Sequence, residues 1–177
     1  MKKLQILLVF SLISFSGLAQ TKDWAVGFRI GEPGGLMLRR YLNNDRNVLE
    51  FNVGTYGALW GNISKYRDGQ YKNIGFAFNG QYLWRNEMGK SGKLMNYYGF
   101  GGQITSRTYY SPKNINGQII DIDQSNIALG GVGTAGLEYF PDGAPLSIFM
   151  EVGLYAELIP AVLYLHPQGG VGVRLNF

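Results

Sequence analysis

Between residues 71 and 84 the chain alternates. Phe76, Phe78, Gly80, Tyr82 and Trp84 share one parity; Gly75, Ala77, Asn79, Gln81 and Leu83 share the other. A period of two puts the first, mostly bulky set on one face of a strand and the second, mostly small or polar set on the opposite face. Residues 94–107 repeat the arrangement, with Tyr98, Phe100, Gly102 and Ile104 against Tyr97, Gly99, Gly101, Gln103 and Thr105. The sharpest case is 146–158. There Leu146, Ile148, Met150, Val152, Leu154, Ala156 and Leu158 oppose Ser147, Phe149, Glu151, Gly153, Tyr155 and Glu157. The same alternation predicts eight strands, at 24–30, 36–42, 48–56, 71–84, 94–107, 126–140, 146–158 and 169–177, and no amphipathic helix.

The connections predict an up-and-down order. Turn formers fill 43–47, 88–92 and 141–145, which fall on one side of such a meander. The longer connections, 57–70, 108–125 and 159–168, fall on the other side, where 31–35 is the one short link. A soluble sandwich also alternates, so strand length decides: several of these strands exceed the usual ~5–6 residues of soluble sheets. They exceed even the ~9–11 residues with which a tilted strand crosses a membrane.

Composition agrees with the membrane alternative. Charged residues make up only 16% of the chain, against roughly 25% in soluble domains, and 26 of 177 residues are glycine. Cysteine is absent, which excludes disulfides, thiolate metal sites and thiol catalysis. Residues 1–19 read as a cleaved secretory leader: Lys2 and Lys3, an apolar run from Leu4 to Phe15, then Gly17-Leu18-Ala19. The apolar run is too short to span as a helix. Without the two leader lysines, 14 basic and 12 acidic residues leave a charge of +2 on residues 20–177, with no basic stripe for nucleic acid.

The last strand places Val171, Val173, Leu175 and Phe177 on one face and stops on the aromatic. It resembles the C-terminal signal read by the barrel-assembly machinery. The chain from residue 20 onward resembles small eight-stranded outer-membrane β-barrel proteins of the OmpA and opacity-protein type, in a Bacteroidota version. The resemblance implies an all-β transmembrane up-and-down antiparallel barrel in a Gram-negative outer membrane with both termini in the periplasm. It also implies contact with outer-membrane lipids and lipopolysaccharide, and leaves room for an outer-membrane protein partner.

In such a barrel one strand face lines the lumen. That face carries Arg29, Arg39, Glu50, Glu138, Glu151, Glu157 and Arg174. Buried charges are costly unless paired, so these predict a salt-bridged polar plug. Tyr56, Tyr97, Tyr155 and Gln103 fill between them, with room left by Gly99, Gly101, Gly130, Gly136, Gly153 and Gly172. Eight strands leave an interior that side chains fill, so a diffusion pore is not expected. Interfacial belts are expected at Trp24, Tyr41, Tyr82, Trp84, Tyr139 and Phe177 on the periplasmic side, and at Trp60, Tyr109 and Tyr110 on the outer side.

Little chemistry stands out. His166 is the single histidine, expected on the fourth outer loop. Lipid A-modifying barrels use a rim histidine and serine, and Ser106, Ser111 or Ser125 would have to approach it in space. Asp121-Ile122-Asp123-Gln124-Ser125 alternates oxygens but lacks the glycine and terminal glutamate of a calcium loop. Gly130-Gly131-Val132-Gly133 has no helix after it to receive a phosphate. Lys65, Arg67, Lys72, Lys113 and Tyr164 form a mildly basic outer rim. No catalytic residue, metal site or cofactor is expected. The leading reading is a non-enzymatic barrel for envelope integrity, surface interaction or an accessory place in a larger complex. A lipid A-modifying enzyme and a soluble lipocalin-like binding barrel are the alternatives.

Overall fold

The structure, a computed structural model, describes residues 23–58, 65–66 and 69–177, with the backbone alone for 65–66 and 69–73. The leader expected at 1–19 and Trp60 lie outside the described residues, as does Arg67. Among the described residues nine strands follow one another: β1 Trp24–Glu32, β2 Gly34–Leu42, β3 Asn47–Tyr56, β4 Lys65–Tyr66, β5 Gly69–Met88, β6 Leu94–Ile115, β7 Gln118–Tyr139, β8 Leu146–Ile159 and β9 Tyr164–Asn176. β4 is a two-residue stub on the start of β5.

The other eight strands close into an antiparallel barrel. Each pairs with the next in sequence, β3 reaches across the stub to β5, and β9 returns to β1. Closure leaves no sheet edge within the barrel, and every strand exposes one face outward and one inward. The sequence alternation supplies both faces. On β8, Ile148, Met150, Val152 and Leu154 are exposed, while Ser147, Phe149, Glu151, Tyr155 and Glu157 are buried.

Both ends of the described chain lie at one rim, where the backbones of Trp24 and Phe177 exchange two 2.9 Å hydrogen bonds. This terminal rim carries the three short connections expected there: 43–46, 89–93 and 140–145. At 43–46, Asn43, Asn44 and Asp45 all take left-handed φ (53°, 53° and 63°), which their short polar side chains tolerate best among non-glycine residues.

The distal rim departs from expectation twice. Residues 108–125 are not a loop. β6 and β7 run on as 22-residue strands to a two-residue turn at Asn116–Gly117, both with positive φ as a type I′ hairpin requires. Residues 159–168 are not a loop either: β8 continues to Ile159, the turn is 160–163, and β9 begins at Tyr164. Pro167 stands within β9. It lies beyond Gly169, where pairing with β1 ends, so β9 has only β8 beside it and a residue without N–H is tolerated.

Candidate functional site: the barrel lumen and the distal ribbon

Inward-facing positions bring the chain's buried charge together. Among the described residues these are Arg29, Arg39, Arg85, Arg107 and Arg174 with Glu32, Glu50, Glu138, Glu151 and Glu157, an equal number of each sign and neither Lys nor Asp. Arginine suits this setting: its planar fork pairs with two carboxylates at once and its face stacks on rings.

The centre of the network lies in the terminal half. Arg39 stands between Glu50 (2.5 Å) and Glu138 (2.8 Å), and Arg174 reaches the same two carboxylates at 3.2 and 3.1 Å. Ser147 donates a 2.6 Å hydrogen bond to the second oxygen of Glu138, and Arg85 approaches that residue at 3.6 Å. The guanidinium of Arg174 lies 3.5 Å from the ring centroid of Phe149, and that of Arg39 lies 4.8 Å from Tyr97. Above this, Arg29 pairs with Glu151 at 2.5 Å, and the Tyr97 hydroxyl donates to the same carboxylate at 2.7 Å.

Glycine makes this packing possible at two places. A Cβ on Gly136 would collide with the Tyr97 ring, and one on Gly172 would sit 2.5 Å from the ring of Phe149. The two rings that stack under Arg39 and Arg174 therefore occupy space that any larger residue would fill.

The distal half of the lumen is built differently. There Arg107 pairs with Glu157 at 2.7 Å, among Tyr56, Tyr155 and Tyr164. Glu32 caps this end from the β1–β2 link: its carboxylate accepts the backbone N–H of Gly57, and its carbonyl accepts from Arg29 at 2.8 Å. At the terminal end the lumen opens into a basin of about 780 Å³ lined by Asp45, Arg46, Arg85, Glu87 and Phe140.

Each residue expected in the lumenal network, Arg29, Arg39, Glu50, Glu138, Glu151, Glu157 and Arg174, stands in the interior. Three further charged residues and the histidine stand there too. Arg107 continues the inward parity of Gln103 and Thr105 and was legible from it. Arg85 follows the parity of Leu83 one step past the expected strand end. Glu32 reads as part of a glycine-rich turn, and His166 as a loop residue. His166 is corrected: it faces the lumen, buried, with its ring 5.1 Å from that of Tyr56. The serines weighed as its partners turn elsewhere. Ser106 accepts from the backbone of Phe76, and Ser125 donates to the carbonyl of Arg107.

The expected aromatic belts are partly redistributed. Trp24, Tyr110, Tyr139 and Phe177 are exposed on the outside, and Tyr82, Trp84, Tyr98 and Phe100 form a cluster there with centroids 5.2–5.9 Å apart. Tyr41 and Tyr109 are corrected: both point inward. The Tyr41 hydroxyl donates to Asn176 at 2.6 Å, and that of Tyr109 to Gln124 at 3.0 Å. Tyr41 is the partner of Val48 on the inward face, so a position near a strand end did not fix its side. Val171, Val173 and Phe177 are exposed and Leu175 half-buried, all on the outward face of β9 and its end. Among the described residues no three His, Asp or Glu side chains gather as a metal site. Asp121 and Asp123 share one face of the ribbon, with Ile122 on the other.

Outside the lumen, the described side chains between the rims are mostly apolar, with Thr55 and Ser106 among the polar exceptions and a single charge. Arg40 is that charge, at the terminal rim, its guanidinium 5.3 Å from the ring centroid of Trp24. Beyond the distal rim, the exposed ribbon carries Lys113, Asp121 and Asp123 together with Ile115, Ile119 and Ile120.

No family model and no curated protein matches the chain. Among solved structures, Neisserial surface protein A (NspA) is similar over 87% of this chain and 93% of that one, at 12% identity and a TM-score of 0.47. Ail, the attachment invasion locus protein of Yersinia pestis, covers the same shares at 16% identity and the same TM-score.

Proposed function

We propose that the chain is a non-enzymatic outer-membrane β-barrel whose lumen is plugged and whose distal ribbon is its interaction surface outside the cell. One observation carries this reading: the outward faces are apolar while the buried interior is ionic, the reverse of a water-soluble barrel. At ~3.4 Å per residue and a tilt of ~40°, the 14 residues of β8 rise about 36 Å, enough for an apolar band of ~25 Å with its flanks. The terminal rim faces the periplasm in this reading, because short turns and both chain ends belong there. The leader at 1–19 routes the chain for export, and Val171, Val173, Leu175 and Phe177 serve as its assembly signal. Lipids contact the belt, and lipopolysaccharide contacts the distal rim.

The plug follows from the pairing. Arg39, Arg174, Glu50 and Glu138 each have at least two charged partners, so an ion entering the lumen would have to separate pairs that are already desolvated. Equal numbers of positive and negative groups also leave no net charge to attract ions of either sign. The test is membrane fractionation followed by planar-bilayer recording. Extraction only with detergent and the absence of large steady channels are expected. Release as a soluble periplasmic protein, or stable open channels, would overturn the reading.

A further inference from the structure

Above the barrel, β6 and β7 keep pairing with each other after their outer neighbours have stopped. β5 accompanies β6 as far as Tyr110, but β8 leaves β7 at Leu129. Among the described residues, no strand is laddered onto the second edge of β7 from Gln118 to Ala128, roughly 35 Å of strand at ~3.4 Å per residue. Along it, every second residue turns its N–H and C=O away from β6.

The two edges of the ribbon are not alike. The free part of β6 is short and carries Pro112, which cannot donate, and Lys113, both devices that blunt an edge against pairing. The β7 edge reads Gln118-Ile119-Ile120-Asp121-Ile122-Asp123-Gln124-Ser125-Asn126-Ile127-Ala128, with no proline, lysine or glycine. Ile119 is 77% exposed. At the foot of this edge, where Leu129 meets Ile159, the β8–β9 turn exposes Ile159, Val162 and Leu163 at 60%, 75% and 71%. A strand laid against β7 would run down onto that apolar step.

We propose that the β7 edge accepts an extended segment of another protein as an added strand, in the place β8 takes lower down. Its main chain satisfies the open backbone groups. One of its faces is apolar, against Ile120 and Ile122. The other carries basic residues, against the face that holds Asp121 and Asp123. The proposal rests on the reading above in one respect: the ribbon must stand clear of the bilayer.

The test follows amide hydrogen exchange of residues 118–128 in the full barrel, held in phosphatidylcholine nanodiscs. The probe is an eight-residue peptide alternating lysine with valine. Amides turned away from β6 are expected to slow at least tenfold with this peptide and to be unaffected by a glutamate–valine peptide. The double variant Asp121→Lys, Asp123→Lys is expected to reverse that preference. Fast exchange unchanged by the lysine peptide overturns the added strand and leaves the barrel reading intact. Equal slowing by both peptides overturns the charge match. Slowing without peptide that grows with protein concentration assigns the edge to a second copy and overturns the heterologous partner. Slow exchange without peptide at every concentration places the ribbon against lipid, and then the reading underneath fails.

Discussion

Strands β6 and β7 change character partway along their length. In the barrel, each has a neighbour on both sides, an inward face set in the ionic lumen and an outward face in the apolar belt. In the ribbon, among the described residues, no further strand flanks the pair, and both faces meet water in the proposed orientation. The backbone geometry is continuous, so the difference lies in what surrounds it. Barrel positions are over-determined by neighbours, whereas ribbon positions are held mainly by one ladder and the Asn116–Gly117 turn. A β-hairpin alone is marginal in water; this one is held because its feet are built into a closed barrel. Stability therefore belongs to the lower part, and tolerance to change belongs to the upper.

The largest break in that contrast comes from the lumen. Glu138→Gln leaves Arg39 and Arg174 to share Glu50, and it weakens the acceptor of Ser147. Removing one partner from a buried ion pair costs ~3–5 kcal/mol. Urea unfolding in lipid vesicles is expected to show a loss of that size, while Asp121→Asn in the ribbon stays within about 0.5 kcal/mol. Equal losses at the two sites would show that the ribbon is as tightly coupled as the barrel.

Next comes the same change made on two outward faces. Val152 sits midway along β8 and is 69% exposed in the belt. In the proposed orientation Val152→Arg puts a charge at the bilayer midplane, at a cost of about 2–4 kcal/mol. Ile119→Arg, at a position still more exposed, is expected to cost almost nothing because water surrounds it. If Val152→Arg is equally harmless, the belt does not face lipid.

A smaller effect on stability is expected from removing the ribbon. Excising 111–122 and rejoining the strands through an Asn-Gly turn should leave the barrel's urea midpoint within the shift expected for about 0.5 kcal/mol. Trypsin added to whole cells is expected to cut the wild type after Lys113, a site the excised chain lacks. A barrel that fails to assemble without the ribbon would make the ribbon part of the fold.

The same boundary marks where the sequence was readable. In the barrel, neighbours on both sides force strict alternation, so Glu151 and Glu157 could be placed inside by counting. The ribbon has no buried face to enforce a pattern, and its polar stretch with Pro112 reads as a loop. The legible signal was local: Asn116-Gly117 is a strong two-residue hairpin turn. His166 was misplaced because Pro160 and Pro167 bracket it like a loop. Only the pairing shows that Pro167 sits at a one-sided stretch of β9. The partnering of Arg39 with both Glu50 and Glu138 spans 99 residues in sequence to the second carboxylate. The face predicts that the three share the lumen; which of them touch depends on barrel closure and stagger, which alternation does not encode.

The smallest effect is expected at the terminal rim, where turns are tied to one another more than the ribbon tip is. Lys93, beside the β5–β6 turn, donates a 2.5 Å hydrogen bond to Asp142 in the β7–β8 connection. That hydrogen bond, with the attraction of the carboxylate, raises the ammonium of Lys93 above its ordinary value of 10.5. A raised lysine contributes stability that is fully present below its unfolded value and is lost as pH rises through its folded value. Both side chains are partly or largely exposed, so solvent and salt weaken the contribution. Thermal unfolding of the wild type and of Lys93→Met is expected to differ by a small, constant amount from roughly pH 7 to 9. The difference should shrink only above about pH 10.5, and high salt should reduce it at every pH. Tyrosine ionisation in the same range is common to both proteins and cancels. A difference of zero throughout would put the terminal turns in the same class as the ribbon tip, leaving the barrel body alone to set stability.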